Sequence, residues 1–347
     1  MENLALDERI GQTPDPFHTI QIHPTRKCNL ACLHCYSSSG PDFKEMLDIK
    51  ALKRFLTYAY EHGFNNISIS GGEPFLYSDL EELFKYSRSL GYQNTLASNG
   101  MLLQSERNQR ILEYVDLIAI SIDGPEELHD KIRGQKGAFA KMMKGVEVLR
   151  SLNKAFGFIH TVTSESWDKL IWLGDFAYEN GAKLVQIHPL EMYGRAKAQL
   201  VEMSIDDTLA HQTFILANYL KSKYVDHMII QLDLLHRDYL QEFPQTVNSF
   251  ERACARKGQI SNLLDTIIIE ESGRILPMAY GIDSIYAIGN VHSFENSLFD
   301  NYIAQKVPMI KNLFECTLNK IFANKQNDIV NWNELLIEES RIELLTI

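Results

Sequence analysis

Between residues 17 and 190 short β-rich runs alternate with amphipathic helical stretches. Phe17–Thr25 is β-rich and ends near Pro24. Asp48–His62 carries Ile49, Leu52, Phe55, Leu56 and Ala59 at helical spacing, and Gly63 follows as a stop. The pattern repeats with strands at Asn66–Ser70, Gln93–Ala97, Leu117–Ile122, Gly157–Val162 and Leu184–His188. Helices fall between them at Ser78–Leu90, Glu106–Tyr114, Gly137–Leu152 and Trp167–Asn180. Such alternation predicts a parallel sheet covered by helices, with right-handed crossovers. Six βα units are too few for a closed eight-stranded barrel, so a partial barrel or an open sheet is left.

After Gly194 the rhythm changes. Ile205–Tyr224 reads as a long helix, Met228–Leu235 as strand or helix, and the acidic tail from Trp332 as helix. Thr266–Glu270 and Arg274–Met278 flank Glu271-Ser272-Gly273, which predicts a β-hairpin. The 347-residue chain has a net charge of −11, which argues against a protein held to nucleic acid by phosphate contacts. No apolar run is long enough to span a bilayer, and the acidic start has no h-region, so a cytoplasmic protein is expected. Five Cys in a chain of this size do not suggest a disulfide scaffold.

Three of them form Cys28-x3-Cys32-x2-Cys35 in the polar loop after the first strand. Clustered thiolates select zinc, copper(I) or iron–sulfur. Three thiolates on a four-iron cluster would leave one iron open for a ligand. Zinc with His34 or His23 as a fourth ligand is a second reading, and three unrelated buried Cys a third.

With these cysteines the chain resembles the radical SAM superfamily over about residues 17–195. The resemblance implies that Cys28, Cys32 and Cys35 bind a [4Fe-4S] cluster whose open iron chelates S-adenosylmethionine (SAM). It implies further that reduction cleaves SAM to a 5′-deoxyadenosyl radical, which abstracts a substrate hydrogen. His34 stands where the family usually has an aromatic residue near the adenine. Ser70-Gly71-Gly72-Glu73-Pro74 resembles the GGEP motif, with Glu73 facing the SAM ammonium. Ser98-Asn99-Gly100 ends the third strand, where the family often has Thr-Asn-Gly. Ser121 and Asp123, in Ser121-Ile122-Asp123-Gly124-Pro125, are the expected ribose contacts, and His188-Pro189-Leu190 lies where adenine is contacted, through His188 and Leu190. All of these sit at strand C-termini, the ligand end of a parallel α/β sheet.

Gly194-Arg195-Ala196 and the run His129–Gly134, followed by Gly137-Ala138-Phe139, resemble the branch with SPASM or twitch extensions. The fold implied is α/β: a partial (β/α)6 barrel of parallel strands over 17–195, a 1–16 N-terminal segment, and 196–347 as a helical linker plus a small α+β SPASM/twitch-like extension. Cys254-Ala255-Arg256-Lys257-Gly258 and Gly273–Pro277 match the start of such an extension, but Met278 stands where a Cys is expected. Only Cys254 and Cys316 remain, too few for a four-thiolate site. The extension therefore reads as degenerate, without an auxiliary iron–sulfur cluster. Cys254 and Cys316 are then buried apolar thiols, a thiol hydrogen-atom donor, or auxiliary ligands.

The branch implies maturation of a ribosomally made precursor peptide (RiPP) by crosslinking, epimerisation or backbone excision. A flavodoxin- or ferredoxin-like reductant is implied too. About 16 residues precede the first strand, too few for a leader-binding domain, so leader recognition is expected from a separate partner protein or from an edge strand of the extension. A small-molecule or cofactor precursor as substrate is the alternative, and a non-catalytic metal-binding protein the alternative of another class. Tyr193, Arg195, Tyr280 and Asp283 are candidate substrate contacts.

Overall fold

The computed structural model describes residues 17–247, 250, 259–324 and 326–342. Six strands appear in chain order: β1 (Thr19–Ile22), β2 (Asn66–Ile69), β3 (Gln93–Ser98), β4 (Leu117–Ser121), β5 (Phe156–Val162) and β6 (Leu184–Pro189). Each pairs in parallel with the next. Helices α1 (Ile49–Glu61), α2 (Leu80–Leu90), α3 (Glu106–Ile111), α4 (Glu126–Arg133), α5 (Ala138–Ser151) and α6 (Leu170–Asn180) fall between them. Local chemistry sets their ends: Asp48 caps α1 by accepting from the Lys50 and Ala51 amides, and Gly91 closes α2 with φ of 102°.

The strands alternate with a consequence for function. Ile20, Ile22, Ile67, Ile69, Leu96, Val185 and Ile187 are buried, all on one face of the sheet. They belong to one core with Leu52, Phe55, Leu83 and Phe84 of the helices. Fully burying such a side chain contributes about 1.5–3 kcal/mol. On the opposite face Gln21, Ser68, Ala97, Ile159, Thr161, Gln186 and His188 line a cavity. Closed eight-stranded barrels fill this face with branched aliphatic layers. Here the small and polar residues leave room for a ligand.

The later segments extend this sheet at both edges. β7 (Ile229–Leu232) pairs in parallel with β6, so Met228–Leu235 resolves as a strand. The two-residue β8 (Leu235–His236) follows. β9 (Thr266–Ile269) runs parallel to β1, and β10 (Arg274–Pro277) and β11 (Gly289–Asn290) continue antiparallel beyond it. The order is β11-β10-β9-β1-β2-β3-β4-β5-β6-β7. The predicted hairpin is therefore present, but it joins the barrel's own sheet instead of standing beside it. The physical reason is the open edge of β1, whose unpaired N–H and C=O groups are satisfied by β9.

The join is apolar. Phe299, at the start of the helix Leu298–Gln305, packs on Tyr58 of α1 with ring centroids 4.8 Å apart, and its amide donates to the Tyr58 hydroxyl at 3.0 Å. Phe55 and Phe64 complete the cluster. Phe299→Ala should lower unfolding free energy by about 3–5 kcal/mol in anaerobic chemical denaturation. A loss below about 1 kcal/mol would mean that this cluster does not fasten the later segments to the barrel.

Candidate active site at the strand C-termini

The cavity has a volume of about 420 Å³. Cys28, Cys32 and Cys35 all line it, together with His34, Ser70, Gly71, Gly72, Glu73, Ser98, Asn99, Ser121 and His188. Pro74 opens a turn of 3₁₀ helix behind the glutamate.

The cysteine loop packs through Leu30, Leu33 and Tyr36, and backbone contacts hold the rest of it. The Cys28 amide donates to the Gly40 carbonyl at 3.0 Å, and the Glu73 amide to the Lys27 carbonyl at 2.9 Å. Arg195 donates through Nε to the Cys32 carbonyl at 2.8 Å and through Nη2 to the Ser39 carbonyl at 2.6 Å. Its own amide donates to the Cys35 carbonyl at 3.0 Å. Arg195, read from the sequence as a substrate contact, is thus a clamp on the cysteine loop. Two glycines allow the approach. A Cβ on Gly72 would stand 2.2 Å from the Lys27 carbonyl oxygen, and one on Gly194 2.2 Å from that of Tyr36.

Glu73 is 1% exposed. Its Oε1 accepts from the Ser98 hydroxyl at 2.9 Å and the Phe75 amide at 3.3 Å, and Oε2 from the Asn99 amide at 3.0 Å. A carboxylate offers about four acceptor positions, so one stays open toward the cavity. Burial pushes its pKa up to about 7, against these three donors. A positive ligand group is the natural partner for such a carboxylate.

Asp123 corrects the expectation of a ribose contact. It is 2% exposed and lies behind the cavity wall, fully engaged. Arg133 Nε donates to its Oδ2 at 2.6 Å and Nη2 to its Oδ1 at 3.1 Å, while His34 Nε2 lies 2.9 Å from Oδ1. Burial alone would raise this carboxyl, but Arg133 and His34 override it and hold the pKa well below the usual range. His34 is correspondingly tied down while its ring borders the cavity. The run His129–Gly134 now has a physical account. His129 Nδ1 accepts from the Asp123 amide at 3.3 Å, Asp130 caps α5 through the Gly137 and Phe139 amides, and Arg133 Nη1 donates to Cys32 Sγ at 3.8 Å. Arg133 lies ten residues from Asp123, across a turn and a helix, so only the fold reveals the pair.

Leu190 also departs from expectation: it is buried in a small cluster with Ile132, Ala196, Leu200 and Met203, outside the cavity. Tyr193 stacks under Arg341 at 4.8 Å, and Asp283 caps a 3₁₀ turn, so neither lines the site. Tyr280 does line it, stacked on His23 with centroids 4.7 Å apart. Met278, in place of the expected Cys, also faces the cavity, with φ of 63°. Cys316 lies on the helix Val307–Ala323 and is not among the residues that line this cavity. Cys254 lies outside the described residues. Sequence reasoning missed Gln186, Glu191 and Asp233. His188 Nδ1 is 2.5 Å from Asp233 Oδ2, and although burial lowers the imidazole pKa, that partner raises it overall.

The donor set fits a multi-iron cluster. Three thiols open on one cavity, yet among the described residues no three His, Cys, Asp or Glu side chains converge as one ion requires. Cys28 is pushed up to about 12 by burial and by Glu73, and Cys32 is raised by burial against Arg133. A bound metal deprotonates such thiols outright. His34 Nε2 contacts Asp123, and His23 packs on Tyr280 with its Nε2 3.0 Å from Gln21, so among the described residues neither histidine converges with the thiols as a zinc ligand would.

Residues 22–177 match the family model described as the radical SAM superfamily. The chain carries a radical SAM domain. That family implies a [4Fe-4S] cluster and SAM. The chain is 37% identical over 145 residues to the AdoMet-dependent heme synthase of Oleidesulfovibrio alaskensis, covering 41% of this chain and 37% of the relative. It is 25% identical over 306 residues to the antilisterial bacteriocin subtilosin biosynthesis protein AlbA of Bacillus subtilis, covering 86% of this chain and 62% of the relative. These matches therefore span about a third to two thirds of the relatives' own length. Among solved structures, Streptococcus suis SuiB bound to S-adenosylmethionine superposes with a TM-score of 0.65 at 18% identity, over 88% of this chain and 72% of that one. Native anSMEcpe with bound AdoMet and Kp18Cys peptide gives 0.63 at 17% identity, over 94% and 97%. These likenesses carry the fold: a partial barrel of parallel strands with a C-terminal extension.

The domain assignment sharpens the role of Gly72. Gly72→Ala should reduce iron bound after anaerobic reconstitution to less than half of the wild-type content, with the far-ultraviolet circular dichroism unchanged. Full iron loading would show that the close approach at Lys27 is not what seats the loop.

Proposed function

We propose that this protein is a radical SAM enzyme that modifies a ribosomally made precursor peptide. Cys28, Cys32 and Cys35 are the cluster ligands in this reading, and Glu73 receives the SAM ammonium. When bound there, the cluster supplies the electron that cleaves SAM to methionine and a 5′-deoxyadenosyl radical. The chain's own work is placement and exclusion. Ser98 and Asn99 fix Glu73, and Arg195 fixes the loop. Asn333 and Ile337 of the C-terminal helix Trp332–Ile342 cover part of the cavity, with Met278 and Tyr280 also at its wall, and so keep solvent from a radical.

The observation that carries the peptide reading is the reach of the similarity. The match to the bacteriocin biosynthesis protein AlbA covers 86% of the chain and so reaches past the barrel strands, whereas those to the heme-type synthases cover 41% to 53%. The cavity supports it. Its charges agree: the cationic lining groups Arg133 and Arg195 are committed to Asp123 and to loop carbonyls, while Glu191 faces inward. Among the described lining residues no uncommitted Arg or Lys is left for a tetrapyrrole's carboxylates.

Co-expression with a candidate precursor peptide, followed by mass spectrometry, tests this. Loss of two hydrogens marks a crosslink, a larger loss an excision, and unchanged mass with deuterium uptake from heavy water an epimerisation. Cys32→Ala should abolish both the change and 5′-deoxyadenosine release. An unmodified peptide together with turnover of an iron porphyrin would favour the cofactor reading instead.

A further inference from the structure

We infer that Arg133 and Asp123 form a charge pair that positions the Cys32 ligand and sets the reduction potential of the cluster. This inference rests on the cluster assignment above. Arg133 is 7% exposed and Asp123 2%. The guanidinium spends Nε and Nη2 on the two carboxylate oxygens and turns Nη1 toward Cys32 Sγ at 3.8 Å. This is the one side-chain hydrogen bond from a charged donor to any of the three loop thiols among the described contacts. Cys35 Sγ, by contrast, lies 3.4 Å from the neutral Ser37 hydroxyl.

The buried cation acts on Cys32 in two ways. A donor on a ligand sulfur and a positive charge nearby both stabilise the more negative, reduced cluster. In a site shielded from water that effect is weakly screened. Asp123 works against it: its carboxylate offsets most of the guanidinium's charge while holding it in place. His34 completes the brace, since its Nε2 contacts Asp123 Oδ1 at 2.9 Å from one of the two residues between Cys32 and Cys35. The cluster loop, α4 and the end of β4 are thus locked through one carboxylate. Arg133 is a positioning residue, acting through Cys32.

The pair predicts shifts of opposite sign. Arg133→Met should move the midpoint potential of the reconstituted cluster to more negative values, in a redox titration followed by electron paramagnetic resonance. Asp123→Asn leaves the guanidinium less compensated and should move it to more positive values. Each single change leaves a buried charge without its partner and endangers folding. The double variant Arg133→Met with Asp123→Leu removes both charges and keeps the fold testable; it should bind iron and show a potential more negative than that of Asp123→Asn. A purely structural role would lower cluster occupancy without ordering the potentials by charge. Wild-type potential in all variants that retain a cluster signal would overturn the inference. Absence of a cluster signal from the wild-type protein would overturn the cluster assignment and this inference with it.

Discussion

The cysteine loop depends on main-chain contacts that only the barrel can provide. The loop packs through Leu30, Leu33 and Tyr36, and its three thiols must also face one point. The solution is to press it between Gly72 and Gly194, where any Cβ would collide with its carbonyls, and to fasten it with Arg195 and with the Arg133–Asp123–His34 brace. These partners come from the ends of β2, β4 and β6, so the loop is correctly shaped only once the parallel sheet has formed. That dependence ties the chemistry of the site to the register of six strands.

The same sheet explains the room for ligands. One face of each strand buries Ile, Val and Leu beneath helices, and the other presents Gln21, Ser68, Ala97 and Gln186 to the cavity. A larger apolar side chain at these positions would fill the space, as it does in closed barrels. Segments after residue 195 do not stand apart from this arrangement. β7 and β9 lengthen the sheet at opposite edges, and the helix Trp332–Ile342 reaches the cavity.

Much of this was legible in the sequence. Glycine stops and period-two apolar runs marked the six units, because both reflect local backbone and solvent constraints. The Cys spacing and the strand-end motifs located the cavity. What stayed hidden depends on distant pairing. Asp123 looked like a ligand contact because a carboxylate at a strand end usually is one; only the fold brings Arg133 and His34 onto it. Arg195, a candidate substrate contact in the sequence, becomes a loop clamp only because the fold brings the Cys32 and Ser39 carbonyls to it. The β9–β1 pairing joins residues some 250 apart along the chain and carries no local signal. Leu190 lies one residue past β6, where the chain turns from the cavity into a separate apolar cluster.

The central claim is that three thiolates hold a four-iron cluster with one iron left for SAM. Mössbauer spectroscopy of protein reconstituted with ⁵⁷Fe, with and without SAM, tests it most directly. The account predicts a cubane signal in which one iron of the four changes its parameters when SAM is added. A spectrum in which SAM leaves every iron unchanged, or a protein that takes up zinc in preference to iron and sulfide, would contradict it.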